Sequence, residues 1–388
     1  MINVLHLRDT DRVCGPGKTI LETCTRIDSS RFRLAIGLFI DRNEKETDNG
    51  YWRAATERGI EVIPLRTRGR FDPSAARQIA QLARSEQFDL IHSHEYKSDL
   101  LTLAGARTHS APIVSTAHGW ITNSFKSKLM IGAGKRALRY FDRVIAVSPA
   151  IRDELQRVGV PQERLRLIYN AIVMENYRPQ DYRPGQVREA FGLPDEAVLI
   201  GNVGRLSPEK GQADFLQAAA RVLPEFPSAY FVLVGDGADR PRLERLADTL
   251  GIREHVLFTG YQQDVRPIFR DLDYLALTSH TEGFPNVLLE SLCMDTPVLA
   301  TAVGGVPAIV SDRETGHLVP AHKPEHIAER LLEMLQNPEA EQRMAAAGKT
   351  RIVQRFEFGQ RVRRLQQLYA ETLGARTSLS HVEARRQP

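Results

Sequence analysis

The segment Glu282-Gly283-Phe284-Pro285-Asn286-Val287-Leu288-Leu289-Glu290 places two carboxylates where a strand should give way to a helix. The apolar run at 274–278 predicts a short buried strand before it. Pro285 suits a first helical turn, and Val287, Leu288, Leu289 and Leu292 supply a buried helical face. Glu282 is therefore expected in the strand-to-helix loop and Glu290 about two turns into the helix. In an open parallel sheet such loops line the carboxyl edge, where ligands collect and a helix N-terminus favours anions. Acceptor-only side chains beside an anion site suit a ligand with both phosphates and hydroxyls, as a nucleotide sugar has.

A second loop adds the complementary charge. Gly204-Arg205-Leu206-Ser207-Pro208-Glu209-Lys210-Gly211 follows an expected strand at 198–203 and precedes a helical pattern of Phe215, Leu216, Ala219, Val222 and Leu223. Glycine lets a ligand approach the backbone closely, arginine forks onto phosphate oxygens and lysine adds a point charge. An ordinary loop with surface charges would have the same composition, so the weight lies in its pairing with Glu282 and Glu290. Gly235-Asp236-Gly237 and Gly304-Gly305-Val306-Pro307 are two further glycine-rich turns at the same expected edge.

The first half offers less chemistry. Cys14-Gly15-Pro16-Gly17-Lys18-Thr19 is expected as a loop carrying backbone amides; it fails as a P-loop because Arg12 stands where a glycine is required. His118 falls at the end of an expected strand, where a histidine can be structural or face a ligand. His92 and His94 share one face of a strand end and could ligate a metal, but no third ligand is evident in the sequence. Asp271-Leu272-Asp273 mimics an Asp-x-Asp metal motif, yet it lies where a helix runs into a strand and is expected to be structural.

The elements that must position these groups alternate along the whole chain. Strands are expected at 3–7, 34–39, 61–65, 90–94, 113–117, 144–147 and 165–169, then at 198–203, 230–234, 256–258, 274–278 and 298–302, with helical patterns between. Repeated βαβ units imply parallel sheets covered on both faces. The expected organisation is a first Rossmann-like domain at 1–175, a linker at 176–196, a second such domain at 197–357, a helix at 358–375 and a polar, disordered tail at 376–388. The fold class is thus α/β, with two doubly wound domains facing across a cleft.

At 388 residues two domains are expected, and no apolar run approaches the ~20 residues of a membrane span. Three scattered cysteines fit a reducing cytosol. The net charge of +4 conceals an asymmetry: residues 1–180 hold 28 Lys/Arg against 20 Asp/Glu, giving +8, and the remainder 24 against 28, giving −4. The basic excess includes Arg66, Arg68 and Arg70. It fits either a solvated face or contact with an anionic membrane or phosphate-bearing acceptor. Phe125, Leu129, Met130, Leu138 and Phe141, interspersed with Lys126, Lys128, Lys135, Arg136 and Arg139, form a candidate membrane contact or an ordinary amphipathic helix. No aromatic-interleaved basic motif points to nucleic acid.

Taken in order, Gly-Arg-Leu-Ser-Pro-Glu-Lys-Gly, Val-Gly-Asp-Gly, Phe-Thr-Gly, Glu-Gly-Phe-Pro-Asn with the second Glu, and Gly-Gly-Val-Pro resemble the retaining family 4 glycosyltransferases of the GT-B fold (glycosyl transferases group 1). The resemblance covers about residues 1–375 and is most specific over 198–319. It implies that Arg205 and Lys210 hold the donor diphosphate, with Gly204 and Gly235 in the adjoining turns. It assigns Glu282 and the backbone of Gly283, Phe284, Pro285 and Asn286 to the donor sugar, and Glu290 to the ribose hydroxyls. Gly15 and Gly17 would close on the phosphates and His118 would point at the donor sugar. Pro16, Asp295 and Ala308 depart from the family pattern.

The implied reaction is metal-independent transfer of a sugar from a nucleoside-diphosphate donor (a UDP-sugar or GDP-mannose) to a hydroxyl of a glycan or lipid-linked acceptor, with retention. The setting would be cell-surface polysaccharide synthesis in the cytoplasm, with possible peripheral membrane contact. No metal and no other cofactor is expected. The alternatives are a nucleotide-sugar epimerase on the same scaffold and a non-enzymatic nucleotide-sugar sensor or scaffold. A dinucleotide-dependent dehydrogenase lacks its Gly-x-Gly-x-x-Gly after the first strand.

Overall fold

Short runs of Val, Ile, Leu and Ala, each closed by glycine, proline or a polar turn, form two parallel sheets in the computed structural model. The structure describes every residue except Arg70, Phe71, Glu86, Gln87, 107–110, 121–124 and 385–388, together with the side chains of 125, 126 and 375–384. Arg70 of the basic run, the Phe125 and Lys126 side chains of the surface patch, and the end of the expected tail thus lie outside the described residues.

Two compact units hold the sheets: Met1–Asn170 with the chain from Gly359 onward, and Ala171–Phe358. The first contains β1 (Ile2–Arg8), β2 (Phe32–Asp41), β3 (Glu61–Thr67), β4 (Leu90–Ser93), β5 (Ile113–Ala117), β6 (Arg143–Ala146) and β7 (Leu165–Leu167), in the spatial order β3-β2-β1-β4-β5-β6-β7. The second contains β8 (Val198–Val203), β9 (Ala229–Val234), β10 (Val256–Gly260), β11 (Tyr274–Leu277), β12 (Val298–Thr301) and β13 (His317–Val319), in the order β10-β9-β8-β11-β12-β13. The strand order reverses between β1 and β4, and again between β8 and β11. Loops leaving the carboxyl ends of those four strands flank the crevices where open α/β sheets take ligands.

Twelve of these strands were expected; β13 was not, because its three residues, His317-Leu318-Val319, are too few to show a period. Its buried histidine is held by Glu341, whose two carboxylate oxygens lie 3.0 Å from Nε2. The second core forms between sheet and helices, with Phe215 and Phe231 edge to face at 5.3 Å. In the first unit Tyr51 is fully buried among Ile20, Leu21, Ile36 and Leu38.

Two local expectations change. Gly15, Pro16 and Gly17 are not a loop but the first turn of the helix Gly15–Arg26, with Cys14 as its N-cap. Proline's fixed φ favours the start of a helix, where its missing N–H costs nothing. Gly17 packs against Tyr51, whose hydroxyl donates to the Gly17 carbonyl at 3.2 Å. Residues 176–196 lie within the second unit. There Asp271 accepts from the backbone N–H groups of Gly185 and Val187 and so caps the helix Gln186–Phe191, whose own N-cap is a glycine. Asp273 accepts from Leu199 N–H and from Arg188, both at 2.8 Å, which makes the Asp-x-Asp pair structural as expected. Asp271→Ala leaves two N–H groups without their acceptor and should cost about 2–4 kcal/mol, read as a lower urea midpoint.

The closing helix, Phe358–Ala384, buries Val362, Leu365, Leu368 and Tyr369. Although last in sequence, it belongs from Gly359 onward to the first unit.

Candidate active site

In the second unit, β8 ends at Val203 and its loop carries Arg205 and Lys210; β11 ends at Leu277 and its loop carries Glu282. Because the two strands are neighbours, residues distant in sequence meet. Lys210 Nζ donates to Glu282 Oε1 at 2.6 Å, and Ser279 Oγ donates to the same oxygen at 2.6 Å. The Glu282 side chain is 8% exposed and that of Lys210 23%. Thr278 Oγ1 donates to the Gly211 carbonyl at 2.9 Å, and His280 N–H to the Glu209 carbonyl at 2.8 Å, so the two loops are stitched along their length.

Neither cation is bare. Arg205 donates to Glu209 Oε1 at 2.6 Å, while Ser207 Oγ donates to that oxygen at 2.8 Å. Half of the Arg205 side chain is in solvent, which leaves the guanidinium able to swing onto a ligand. The sequence offered Glu209 only as a surface charge.

The helix after β11 runs Asn286–Cys293, with Pro285 as N-cap rather than in the first turn. Glu290 is its fifth residue, about one turn in rather than two. Its Oε1 accepts from the hydroxyl of the buried Tyr177 at 2.7 Å. No sequence signal marked Tyr177, which sits in the stretch expected as linker. Phe284 is buried with its ring 5.4 Å from that of Phe356. The remaining glycines hold the loops together: Gly204 N–H donates to the Val234 carbonyl and Gly235 N–H to the Gly260 carbonyl, both at 2.9 Å. Gly304, at φ 53°, lies so close under the β11 loop that a Cβ there would stand 1.6 Å from the Glu282 carbonyl oxygen. The adjacent Gly305 abuts the carbonyl of Gly283, at 2.4 Å from an added Cβ.

In the first unit His118 follows β5. Its Nε2 lies 3.3 Å from His94 Nδ1, and its own Nδ1 is buried without a partner among the described residues. The third ligand that the sequence lacked for His92 and His94 is present as His6, on β1: one nitrogen from each lies within 4.8 Å of the others. Asp214, His280 and His322 form a second such grouping in the other unit. Burial lowers His6 to about 3, helped by Arg361, and holds His92, His94 and His118 well below the ordinary range, so all four rings are neutral.

Comparison with known proteins bears on what such loops are for. The model of Glycosyltransferase Family 4 matches residues 15–176, and that of Glycosyl transferases group 1 matches residues 185–351. A D-inositol 3-phosphate glycosyltransferase from Thermobispora bispora is 31% identical over 314 residues, covering 74% of this chain and 71% of the relative. The chain belongs to glycosyltransferase family 4. An N-acetyl-alpha-D-glucosaminyl L-malate synthase from Bacillus anthracis is 25% identical over 307 residues, 78% of this chain and 80% of its own. Anabaena Alr3699/HepE, solved with UDP-glucose, shares the fold at a TM-score of 0.82, with 23% identity over 97% of this chain and all of that one.

The first unit of this family 4 glycosyltransferase holds a cavity of about 290 Å³ beside His118, lined by Arg8, Asp9, Glu95, Lys97 and Trp120. Its charges are paired: Arg8 with Glu95, and Lys97 Nζ with Asp9 Oδ1 at 2.9 Å. Of the patch considered for membrane contact, Leu138 and Phe141 are buried in the core and not available to a surface; Leu129 and Tyr140 are exposed. Among the described residues no helix of the glycosyltransferase is long and apolar enough to cross a membrane.

Next to the cavity, burial pushes Asp99 up to about 7, although Ser93 and Ser115 donate to its Oδ1 at 2.5 and 2.7 Å. Burial likewise pushes Glu95 up to about 7, against the pull of Arg8. Between the ordinary carboxylate range near 4 and these raised values, these two groups bind more protons in the folded enzyme than in the unfolded chain. The contribution of these two groups to stability should therefore fall as pH rises from about 4 to about 7 and level off above, opposite in sign to that of the four neutral histidines, whose unfolded rings bind protons below about 6.5. Asp99→Asn removes one group's share, up to about 1.4 kcal/mol per pH unit, in urea titrations across that window.

Proposed function

We propose that the protein is a retaining glycosyltransferase that moves a sugar from a nucleoside-diphosphate donor to a hydroxyl of a glycan or lipid-linked acceptor without needing a metal ion. The observation that carries the reading is the Lys210–Glu282 contact at the β8/β11 switch point. A cation for phosphate and a carboxylate for sugar hydroxyls stand together there, beside a helix N-terminus. In this reading the diphosphate takes Lys210 and Arg205, Glu282 turns to the donor sugar, and Glu290 with Tyr177 holds the ribose. The bond from the sugar's anomeric carbon to the β-phosphate oxygen breaks, and the negative charge gathering on that oxygen is what the two cations stabilise. The acceptor oxygen bonds to the anomeric carbon from the same face, and its proton passes to the departing phosphate.

The paired charges of the cavity beside His118 favour a neutral acceptor. A hydroxyl can donate to Asp9 or Glu95 and accept from Lys97 or Arg8, whereas an anion would find both cations already engaged. A sugar residue of a growing glycan meets that description. The HepE complex makes a UDP-sugar the first donor to try, with GDP-mannose beside it.

The test is calorimetric binding of a nucleotide-sugar panel without divalent metal, to wild type, Arg205→Ala and Glu282→Ala. One donor bound by wild type and lost in Arg205→Ala supports the reading; no nucleotide sugar or nucleoside diphosphate bound by the folded protein overturns it. Proton NMR of the product's anomeric signal decides retention.

A further inference from the structure

Three side chains of the second unit that the proposed reaction does not use converge from separate connections. Asp214 lies in the first turn of the helix Gln212–Val222 after β8, His280 in the loop after β11 and His322 in the loop after β13. His280 Nε2 lies 2.8 Å from Asp214 Oδ2, and the His322 ring packs on that of His280 with centroids 3.7 Å apart. One ligating atom from each residue lies within 4.8 Å of the other two. Two imidazoles and a carboxylate are thus gathered at the carboxyl edge of one sheet.

The hydrogen bonding sets this cluster apart from the buried trio of His6, His92 and His94. In that trio Thr116 and Tyr369 engage both nitrogens of His92, at 2.8 and 2.7 Å. His94 and Tyr369 engage both nitrogens of His6, at 2.8 and 3.3 Å. An ion there would break several buried hydrogen bonds. In the second cluster an ion would exchange one contact. Among the described residues neither ring, nor the Asp214 carboxylate, makes a side-chain hydrogen bond besides the Asp214–His280 pair.

Exposure and backbone agree with a ligand. The Asp214 and His280 side chains are 15% and 25% exposed and His322 is in solvent, which gives an ion a partly desolvated seat and a way in. His322 stands at φ 60°, a left-handed backbone that disfavours residues with a Cβ. The loop keeps that conformation where the ring meets His280, and such outliers collect at ligand-holding sites.

We propose that Asp214, His280 and His322 form a Zn²⁺ site that ties the loops after β11 and β13 to the helix after β8. Two imidazoles and one carboxylate are a ligand set that Zn²⁺ accepts, with water in the fourth position, whereas Mg²⁺ and Ca²⁺ favour oxygen alone. Ligands bonded at about 2.1 Å stand roughly 3.5 Å apart around a tetrahedral ion, so a turn of the exposed His322 ring closes the site. The Asp214–His280 hydrogen bond holds two of the ligands side by side beforehand; the ion takes the place of its proton, and the ring carries that proton on Nδ1 instead. The site lies outside the proposed reaction, which needs no metal. Its effect is mechanical: His280 follows Ser279, whose hydroxyl donates to Glu282, so an ion on His280 steadies the loop that carries this carboxylate.

The experiment uses the untagged full chain, stripped of metal with a chelator and then dialysed. Co²⁺, a coloured stand-in for Zn²⁺, is titrated in and followed by visible absorption, and Zn²⁺ is added last to displace it. Wild type should bind a single Co²⁺ with the spectrum of a four-coordinate ion, and excess Mg²⁺ should not compete. His322→Gly removes one ligand and suits the left-handed backbone, so the fold is kept. It should weaken binding by at least about 100-fold, beyond what loss of a residue that merely supports a ligand costs. Asp214→Asn should act likewise. Zn²⁺ should raise the unfolding midpoint of wild type and leave that of His322→Gly unchanged. Absence of saturable binding by the folded wild type overturns the proposal. So does binding that both variants retain, which would place the ion elsewhere, the buried trio included.

Discussion

Lys210→Ala is expected to lower kcat by about 10³-fold while the donor KM changes far less, because in the proposed reaction the lysine's charge matters most as the diphosphate departs. The same substitution has a second, separable effect. Glu282, 8% exposed, would keep only the Ser279 hydroxyl as side-chain partner among the described residues. Stability should fall by about 1–3 kcal/mol, the cost of a mostly buried carboxylate losing its cation. The double variant Lys210→Ala/Glu282→Gln discriminates the two effects. Its unfolding midpoint should recover most of the loss, since a neutral amide tolerates the site, while kcat stays low. Recovery of turnover together with stability would mean that Lys210 only holds Glu282, and the leaving-group role would be lost.

Gly304→Ala should be nearly as damaging, through the backbone alone. The added methyl would stand 1.6 Å from the Glu282 carbonyl oxygen, so the loop bearing Glu282 must move. The φ of 53° adds strain of about 1–2 kcal/mol for any residue with a Cβ. Gly251→Ala separates these contributions, because Gly251 has φ 68° with nothing within 4 Å of the new methyl. It should lose only that 1–2 kcal/mol and keep full kcat. Gly304→Ala should lose about 3 kcal/mol or more and at least ~10²-fold in kcat/KM, as expected when reacting groups shift by an ångström. Equal kcat/KM in the two variants would show that the β12–helix turn does not support the Glu282 loop.

Much of this arrangement was legible beforehand because its determinants are local. Apolar runs bounded by glycine and proline marked twelve strands, and a loop following a parallel strand has only one edge to occupy. That is why Lys210 and Glu282 could be placed together across 72 positions without a contact map. What stayed hidden depends on partners that no local pattern announces. Glu209 looks like any surface acid until its loop folds it under Arg205. Tyr177 and Asp271 act on residues 113 and 86 positions away. His92 and His6 come from two strands to share the Tyr369 hydroxyl, 277 and 363 positions away, a meeting that no local pattern encodes. The Gly15–Gly17 reading failed for a local reason: glycine suggested a loop, while Pro16 was the start signal of a helix.

The closing helix has a further consequence, for how the protein is made. The second unit is one unbroken stretch, Ala171–Phe358, whereas the first needs residues from both ends of the chain. A ribosome therefore releases all of the second unit before the first can be completed. Until Leu365, Leu368 and Tyr369 emerge, the core positions that they fill stay empty, and His92 and His6 lack the Tyr369 hydroxyl between them. Nascent chains arrested shortly after Phe358 should show a protease-resistant second unit and a first unit still cleavable, the reverse of the usual N-terminal-first order. The helix after Phe358 thus acts as a completion signal for the first unit, which cannot close before it has been made.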